Sequence, residues 1–158
     1  MSTVHVMKSA SGVFMPATDA DAELLRRFKV GKVVRGEFAE MRNGAHFRKW
    51  WVLARFAFEI WKETVPAGEY HGRPVLPDFE RFRKDLTITA GYFRPVWNVR
   101  NELRVEAESL AWASMTPERF ETLYSATINA VLQKIIPNAG YDEDRLRATI
   151  EQLLAGFD

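Results

Sequence analysis

The sequence predicts an α+β protein in which a small antiparallel sheet packs against a long central helix and three or four further helices. Apolar residues recur at helical spacing in several long segments, whereas short stretches near the amino terminus and after residue 91 alternate apolar and polar residues, as strands do. With 158 residues and 47% apolar content, the chain is long enough to bury a core. We therefore predict a single domain over residues 1–158.

The amino-terminal forty residues predict a hairpin, a helix and a strand. Alternating valines within residues 3–8 and the apolar residues 13–15 are typical of two short strands. Thr18 or Asp19 is suited to cap a helix with an acidic first turn and a basic last turn. Residues 32–40 alternate again, which predicts a strand with one face in solvent.

The predicted central helix runs from Ala45 to Glu63 and would be about 28 Å long at a rise of about 1.5 Å per residue. Helical spacing separates it into two faces. The charged stripe contains Arg48, Arg55, Glu59 and Lys62. The residues expected to face the core are Trp50, Leu53, Ala54, Ala57, Phe58 and Trp61.

The middle of the chain predicts a loop, a helix and a hairpin. Residues 65–77 contain three prolines and two glycines, which indicates a loop. Pro77 suits the first turn of a helix that ends at Gly91. Residues 92–106 then predict a β-hairpin that turns at Arg100 and Asn101, with the side chain of Trp97 facing inward.

Two helices are predicted to complete the fold. Thr116 and Pro117 form a clear helix start, and the apolar stripe that follows ends at Pro137. Residues 142–154 predict a last amphipathic helix.

The charge is unevenly distributed along the chain. Residues 1–104 hold 18 basic against 12 acidic residues, whereas residues 105–158 hold 4 against 9. Residues 26–55 alone hold nine basic and two acidic residues. Such a concentration favours phosphates or an acidic partner surface, although a basic face in solvent, neutralised by the acidic carboxyl-terminal part, has the same composition.

Several classes of function lack the residues they need. The chain has no cysteine and three histidines at unrelated spacings, so we predict neither a metal nor another cofactor. No serine lies in the context of a known nucleophile motif, and no glycine-rich phosphate loop occurs, so we predict no enzyme and no catalytic residue. We find neither a membrane-spanning run nor a signal peptide, and therefore expect a cytoplasmic protein that does not contact membranes.

Nucleic-acid binding requires only cations for phosphates and exposed aromatic rings for unpaired bases. Trp51, Tyr92 and Phe93 are the aromatic candidates for stacking. His46 opens the central helix on its apolar side, where a core or capping role competes with binding. The predicted nucleic-acid-binding residues are Lys32, Arg35, Arg42, His46, Arg48, Lys49, Arg55, Arg94, Arg100 and Arg104.

Four blocks of the chain together resemble a family of small phage and prophage proteins of unassigned function. The first is the segment from Pro16 to Ala22, and two further blocks are residues 82–93 and 109–124. The remaining block consists of Arg42, Asn43, His46, Arg48, Lys49, Trp50 and Trp51.

The basic block that opens the tryptophan-bearing helix also looks like the NinB (Orf) recombination proteins of lambdoid phages, mainly over residues 42–86. That resemblance implies a homodimer that binds single-stranded DNA without nucleotide hydrolysis. It further implies cooperation with single-strand-binding protein and help in loading a recombinase. The bacterial host's cytoplasm is the location that it implies.

The sequence thus leads to one hypothesis and two alternatives. We expect a phage-encoded accessory protein of DNA recombination or replication that binds single-stranded DNA without catalysis. The first alternative is a host-modulating protein whose basic patch docks on an acidic protein partner. The second is a metal-dependent nuclease that would use Asp78 and Asp85, although their spacing among basic residues is typical of a helix surface.

Overall fold

The structure is a computed structural model that describes residues 3–38 and 44–156. Within these residues, five α-helices accompany three two-stranded antiparallel sheets. The α+β prediction is confirmed, although the strands form three separate hairpins and not one sheet. The chain forms two compact units, residues 1–40 and 41–158, which we describe separately. A single domain over the whole chain stays a prediction.

The first unit begins with the predicted hairpin and helix. Strands β1 (Val6–Lys8) and β2 (Phe14–Pro16) pair in antiparallel register. Helix α1 (Asp19–Arg26) follows, and the side chain of its N-cap Thr18 accepts a hydrogen bond from the backbone N–H of Asp21. This bond satisfies one of the amide donors that a helix start leaves unpaired.

The strand predicted at residues 32–40 is wrong where the structure describes it. Residues 32–38 pair with no other described strand, and residues 39–40 lie outside the described part of the chain. Val33 is fully exposed, while the ring of Phe38 stacks on Phe14 at a centroid distance of 5.0 Å. Alternation predicts a strand only when a neighbouring backbone takes up its N–H and C=O groups, and the described residues supply none.

The second unit contains four helices, and their buried faces form its core. They are α2 (Gly44–Lys62), α3 (Phe79–Thr89), α4 (Pro117–Ala130) and α5 (Glu143–Ala155). A single π-helical stretch, Val131–Ile135, extends α4. Side chains at the starts of three of them, Asp78, Thr116 and Asp142, accept hydrogen bonds from backbone N–H groups in the first turn. Pro77 therefore precedes α3 instead of lying in its first turn.

Helix α2 packs against α3, α4 and α5. The predicted inward face is confirmed, since five of its six residues are buried and Trp61 packs partly buried against the same core. The five buried residues are Trp50, Leu53, Ala54, Ala57 and Phe58. That α2 is central to the whole molecule stays a prediction.

Two hairpins complete the second unit. The predicted loop at residues 65–77 contains one of them, formed by β3 (Gly68–Tyr70) and β4 (Arg73–Val75). The other, predicted correctly, pairs β5 (Phe93–Trp97) with β6 (Leu103–Ala107). Its turn includes Asn101, whose φ of 57° lies in the left-handed region that asparagine tolerates.

Candidate nucleic-acid interface

The first turns of α2 line an open groove of about 650 Å³. His46, Arg48 and Lys49 lie on its α2 side. The opposite side includes Phe120 and Glu121 from α4 and Glu151 from α5. The structure therefore brings three of the predicted binding residues together, but it places two carboxylates beside them.

His46 belongs partly to the core. Its imidazole stacks face to face on the ring of Phe120, with a centroid distance of 4.3 Å and an interplanar angle of 3°. The Nδ1 atom is buried and has no hydrogen-bond partner among the described residues. The ring packing agrees with a core role for His46, which was the alternative to nucleic-acid binding at this position.

Lys49 is neutralised within the second unit. Its Nζ lies 2.6 Å from a carboxylate oxygen of Glu151 and 4.8 Å from the ring centroid of Tyr124. Burial raises the pKa of the Tyr124 hydroxyl well above its ordinary value, and the positive charge of Arg147 opposes that rise only in part. Lys49 therefore contributes little free positive charge to the groove.

The other two predicted binding cations of α2 differ from each other. The guanidinium of Arg55 lies 4.3 Å from the ring centroid of Phe79 and 5.8 Å from that of Phe58, so it packs on aromatic side chains. Arg48 is half-buried and forms no ion pair with a residue that the structure describes. Arg42 lies outside the described residues.

Two of the three predicted arginines of the β5–β6 hairpin are paired across or along the strands. Arg94 bonds to Glu106 and Arg104 bonds to Glu102, both at 2.9 Å. Arg100 is exposed in the turn and makes no ion pair with any described residue. The sequence alone does not distinguish these three arginines, because the Arg94–Glu106 pair, for example, depends on the strand register.

The aromatic residues predicted to stack on bases also differ in how far they are exposed. Trp51 contacts Phe79 and the guanidinium of Arg83, and Tyr92 packs against the core, so both residues are partly buried. Phe93 is 49% exposed. The inward position predicted for Trp97 is wrong, since 73% of this residue is exposed.

The first unit carries the cations whose charge is least neutralised by carboxylates among the described residues. Lys32 and Arg35 are exposed, as are Arg27 and Lys29, and none of the four pairs with an acidic residue in the described part of the chain. We call residues 27–38 the cationic segment. Its only acidic residue is Glu37.

Two exposed aromatic rings lie within the cationic segment. Phe28 is 49% exposed, and Phe38, one face of whose ring stacks on Phe14, is 70% exposed. Neither ring was among the aromatic residues predicted from the sequence to stack on bases. The sequence signal was that Arg27 and Lys29 flank Phe28 directly and that Phe38 follows Arg35 by three residues.

These observations define a class of protein: one with an α+β fold and an exposed segment that carries cations and aromatic rings. A family model described as a protein of unknown function (DUF1367) matches residues 1–73, which include the cationic segment and α2. The search of curated proteins and the search of solved structures found no match to the chain.

Two further properties concern only residues 3–38 and 44–156. No helix there is long and apolar enough to cross a membrane. The same residues include no group of three or more histidine, cysteine, aspartate or glutamate side chains placed to hold a metal ion.

Proposed function

We propose that this protein binds single-stranded DNA without catalysis, as a phage-encoded accessory factor of recombination or replication. The observation that carries the proposal is the cationic segment, in which four exposed cations without an acidic partner among the described residues accompany two exposed aromatic rings. Phosphates are held by cations, and unpaired bases stack on aromatic faces, so this composition suits a single strand. The role in recombination or replication rests on the resemblance to phage proteins.

Ion pairing narrows the set of residues that we propose for phosphate contacts. A lysine or arginine that already pairs with a carboxylate is partly neutralised. Fewer counterions are therefore released when a phosphate replaces that carboxylate. Lys49, Arg94 and Arg104 are such residues. The strongest candidates are therefore Lys32 and Arg35 in the first unit and, in the second, Arg48 and Arg100.

The first test measures the salt dependence of binding to a fluorescent oligothymidylate by anisotropy. The double variant Lys32→Gln and Arg35→Gln removes two proposed phosphate contacts. For single strands the slope of log K against log salt is about −0.7 per contact, so its magnitude is expected to fall by about 1.4. Affinity is expected to fall at low salt for every oligonucleotide sequence alike.

The matched control is the double variant Arg81→Gln and Lys84→Gln. It removes the same two residue types from exposed positions on α3, where Arg81 already pairs with Asp85. Its salt slope is expected to equal that of the wild type. Equal slopes for both double variants, or no binding by the wild type at low salt, would overturn the proposal.

A second test separates stacking from charge. Phe38→Ala is expected to weaken binding to the single strand by about 5- to 150-fold, because base stacking on an aromatic ring contributes about 1–3 kcal/mol. Tyr70→Ala is the control, since Phe38 and Tyr70 are each 70% exposed and Tyr70 lies on β3. Duplex of the same length is expected to compete poorly. If duplex competes equally and Phe38→Ala binds like the wild type, stacking has no part in binding.

A further inference from the structure

One face of the β5–β6 hairpin is apolar and exposed. Strand register places Phe93 opposite Ala107, Pro95 opposite Val105 and Trp97 opposite Leu103, and alternation puts these pairs on one face. The apolar hairpin face therefore consists of Phe93, Pro95, Trp97, Leu103 and Val105. Its four large residues other than proline are between 45% and 73% exposed.

The charged residues of this hairpin lie on its other face. Arg94 is opposite Glu106 and Arg104 is opposite Val96, so the strand positions that alternate with the apolar residues carry the ion pairs. No cation in the two strands shares the apolar hairpin face. A phosphate backbone needs cations beside the stacked bases, so this face suits an uncharged protein surface better than nucleic acid.

The area of the face suggests its occupant. Taking roughly 150–250 Å² for a large aromatic side chain and less for the aliphatic ones, the exposed parts of the five residues amount to roughly 500 Å². That is within the roughly 300–600 Å² of the largest patches on soluble monomers, which are often functional. Two such faces would bury roughly 1,000 Å² in total, the lower limit for a specific interface.

We propose that the apolar hairpin face binds the same face of a second copy of this chain. An uncharged patch is complementary to itself, so a two-fold interface brings no like charges together. Pro95 lacks a backbone N–H and interrupts the donors of β5, which disfavours pairing along that strand edge and favours packing face to face. The area predicts a weak dimer with a dissociation constant in the micromolar range, on the order of 1–100 µM.

The first test measures the dissociation constant of the full chain by sedimentation velocity over a range of concentrations. Leu103→Lys puts a charge within the interface on both copies at once. It is expected to weaken the dimer about a hundredfold or more. Leu76→Lys is the matched control, since Leu76 is also exposed and lies next to β4. It is expected to dimerise like the wild type.

A second test uses the absence of native cysteine. Val105→Cys introduces one thiol near the middle of the apolar hairpin face, and mild oxidation is expected to give a disulfide-linked dimer at low protein concentration. Val75→Cys, at a comparably exposed valine on β4, is expected to remain largely unlinked. A wild type that stays monomeric at high micromolar concentration overturns the proposal, as does a Leu103→Lys variant that dimerises like the wild type. Circular dichroism establishes that each variant is folded.

Discussion

The hydrogen bond between Trp50 and Thr127 offers the sharpest test of how the core of the second unit is held together. The indole Nε1 of Trp50, on α2, donates to Thr127 Oγ1, on α4, at 2.9 Å, and the same hydroxyl donates to the backbone oxygen of Leu123 at 2.8 Å. Trp50 is 1% exposed and Thr127 is fully buried. No water can therefore replace the acceptor without repacking the core.

Thr127→Val keeps the shape of the side chain and removes the acceptor. The buried indole N–H is left without a partner, which costs about 1–3 kcal/mol, and we expect a loss of about 2 kcal/mol in the free energy of unfolding. For a chain of this size that corresponds to a fall of about 4–8 °C in Tm. Urea unfolding followed by circular dichroism measures this free energy, because the second unit is mainly helical.

Thr122→Val is the matched control. Thr122 lies on the same helix and its hydroxyl donates to the carbonyl four residues before it, as Thr127 does, but it is exposed and contacts no indole. Its replacement is expected to change stability by less than about 0.5 kcal/mol. A double-mutant cycle with Trp50→Phe should give a coupling energy of about 1–2 kcal/mol. A coupling near zero, or equal effects of the two valine variants, would refute the assigned role of this bond.

Two further predictions concern buried polar groups. The Tyr124 hydroxyl is buried without a hydrogen-bond partner among the described residues, so Tyr124→Phe is expected to stabilise the protein by about 1 kcal/mol. Because burial raises the pKa of the Tyr124 hydroxyl, the unfolded chain loses the hydroxyl proton at a lower pH than the folded chain does. The stability of the wild type should therefore fall more steeply than that of Tyr124→Phe above about pH 10. If urea unfolding shows the two stabilities changing equally with rising pH, this prediction is contradicted. In the first unit, the Asp21 carboxylate accepts hydrogen bonds from the His5 backbone N–H and the Thr18 hydroxyl. Asp21→Ala is expected to speed amide exchange in α1 by about tenfold or more while leaving α2 unchanged, and unaltered exchange in α1 would count against it.

Local patterns predicted the helices well because their signals lie within a few residues. The inward face of α2 follows from a period of 3.6 residues, and Thr116 with Pro117 marks the start of α4 without help from the rest of the chain. The β5–β6 hairpin was predicted for the same reason. Contacts between distant residues were needed for none of these assignments.

The predictions that failed depend on partners that the local sequence does not contain. A strand needs a neighbouring strand, and residues 32–38 have none within the described chain. Whether a lysine is free depends on what folds beside it, and Glu151, which neutralises Lys49, comes about a hundred residues later. Trp97 was expected inward because large apolar residues are usually buried, a tendency that interaction surfaces violate.

The strand register shows on which face of the β5–β6 hairpin each basic and aromatic residue lies, which the composition of the hairpin leaves ambiguous. Basic and aromatic residues alternate there, and such a sequence is compatible with one nucleic-acid surface or with two separate faces. The structure separates them: Arg94 and Arg104 pair with glutamates on one side, and Phe93 and Trp97 lie uncharged on the other. If the apolar hairpin face joins two copies and the cationic segment binds the strand, Leu103→Lys should lower the apparent affinity for long oligonucleotides, which both copies can contact, and spare short ones. Equal losses for long and short oligonucleotides would place the hairpin in the nucleic-acid site itself.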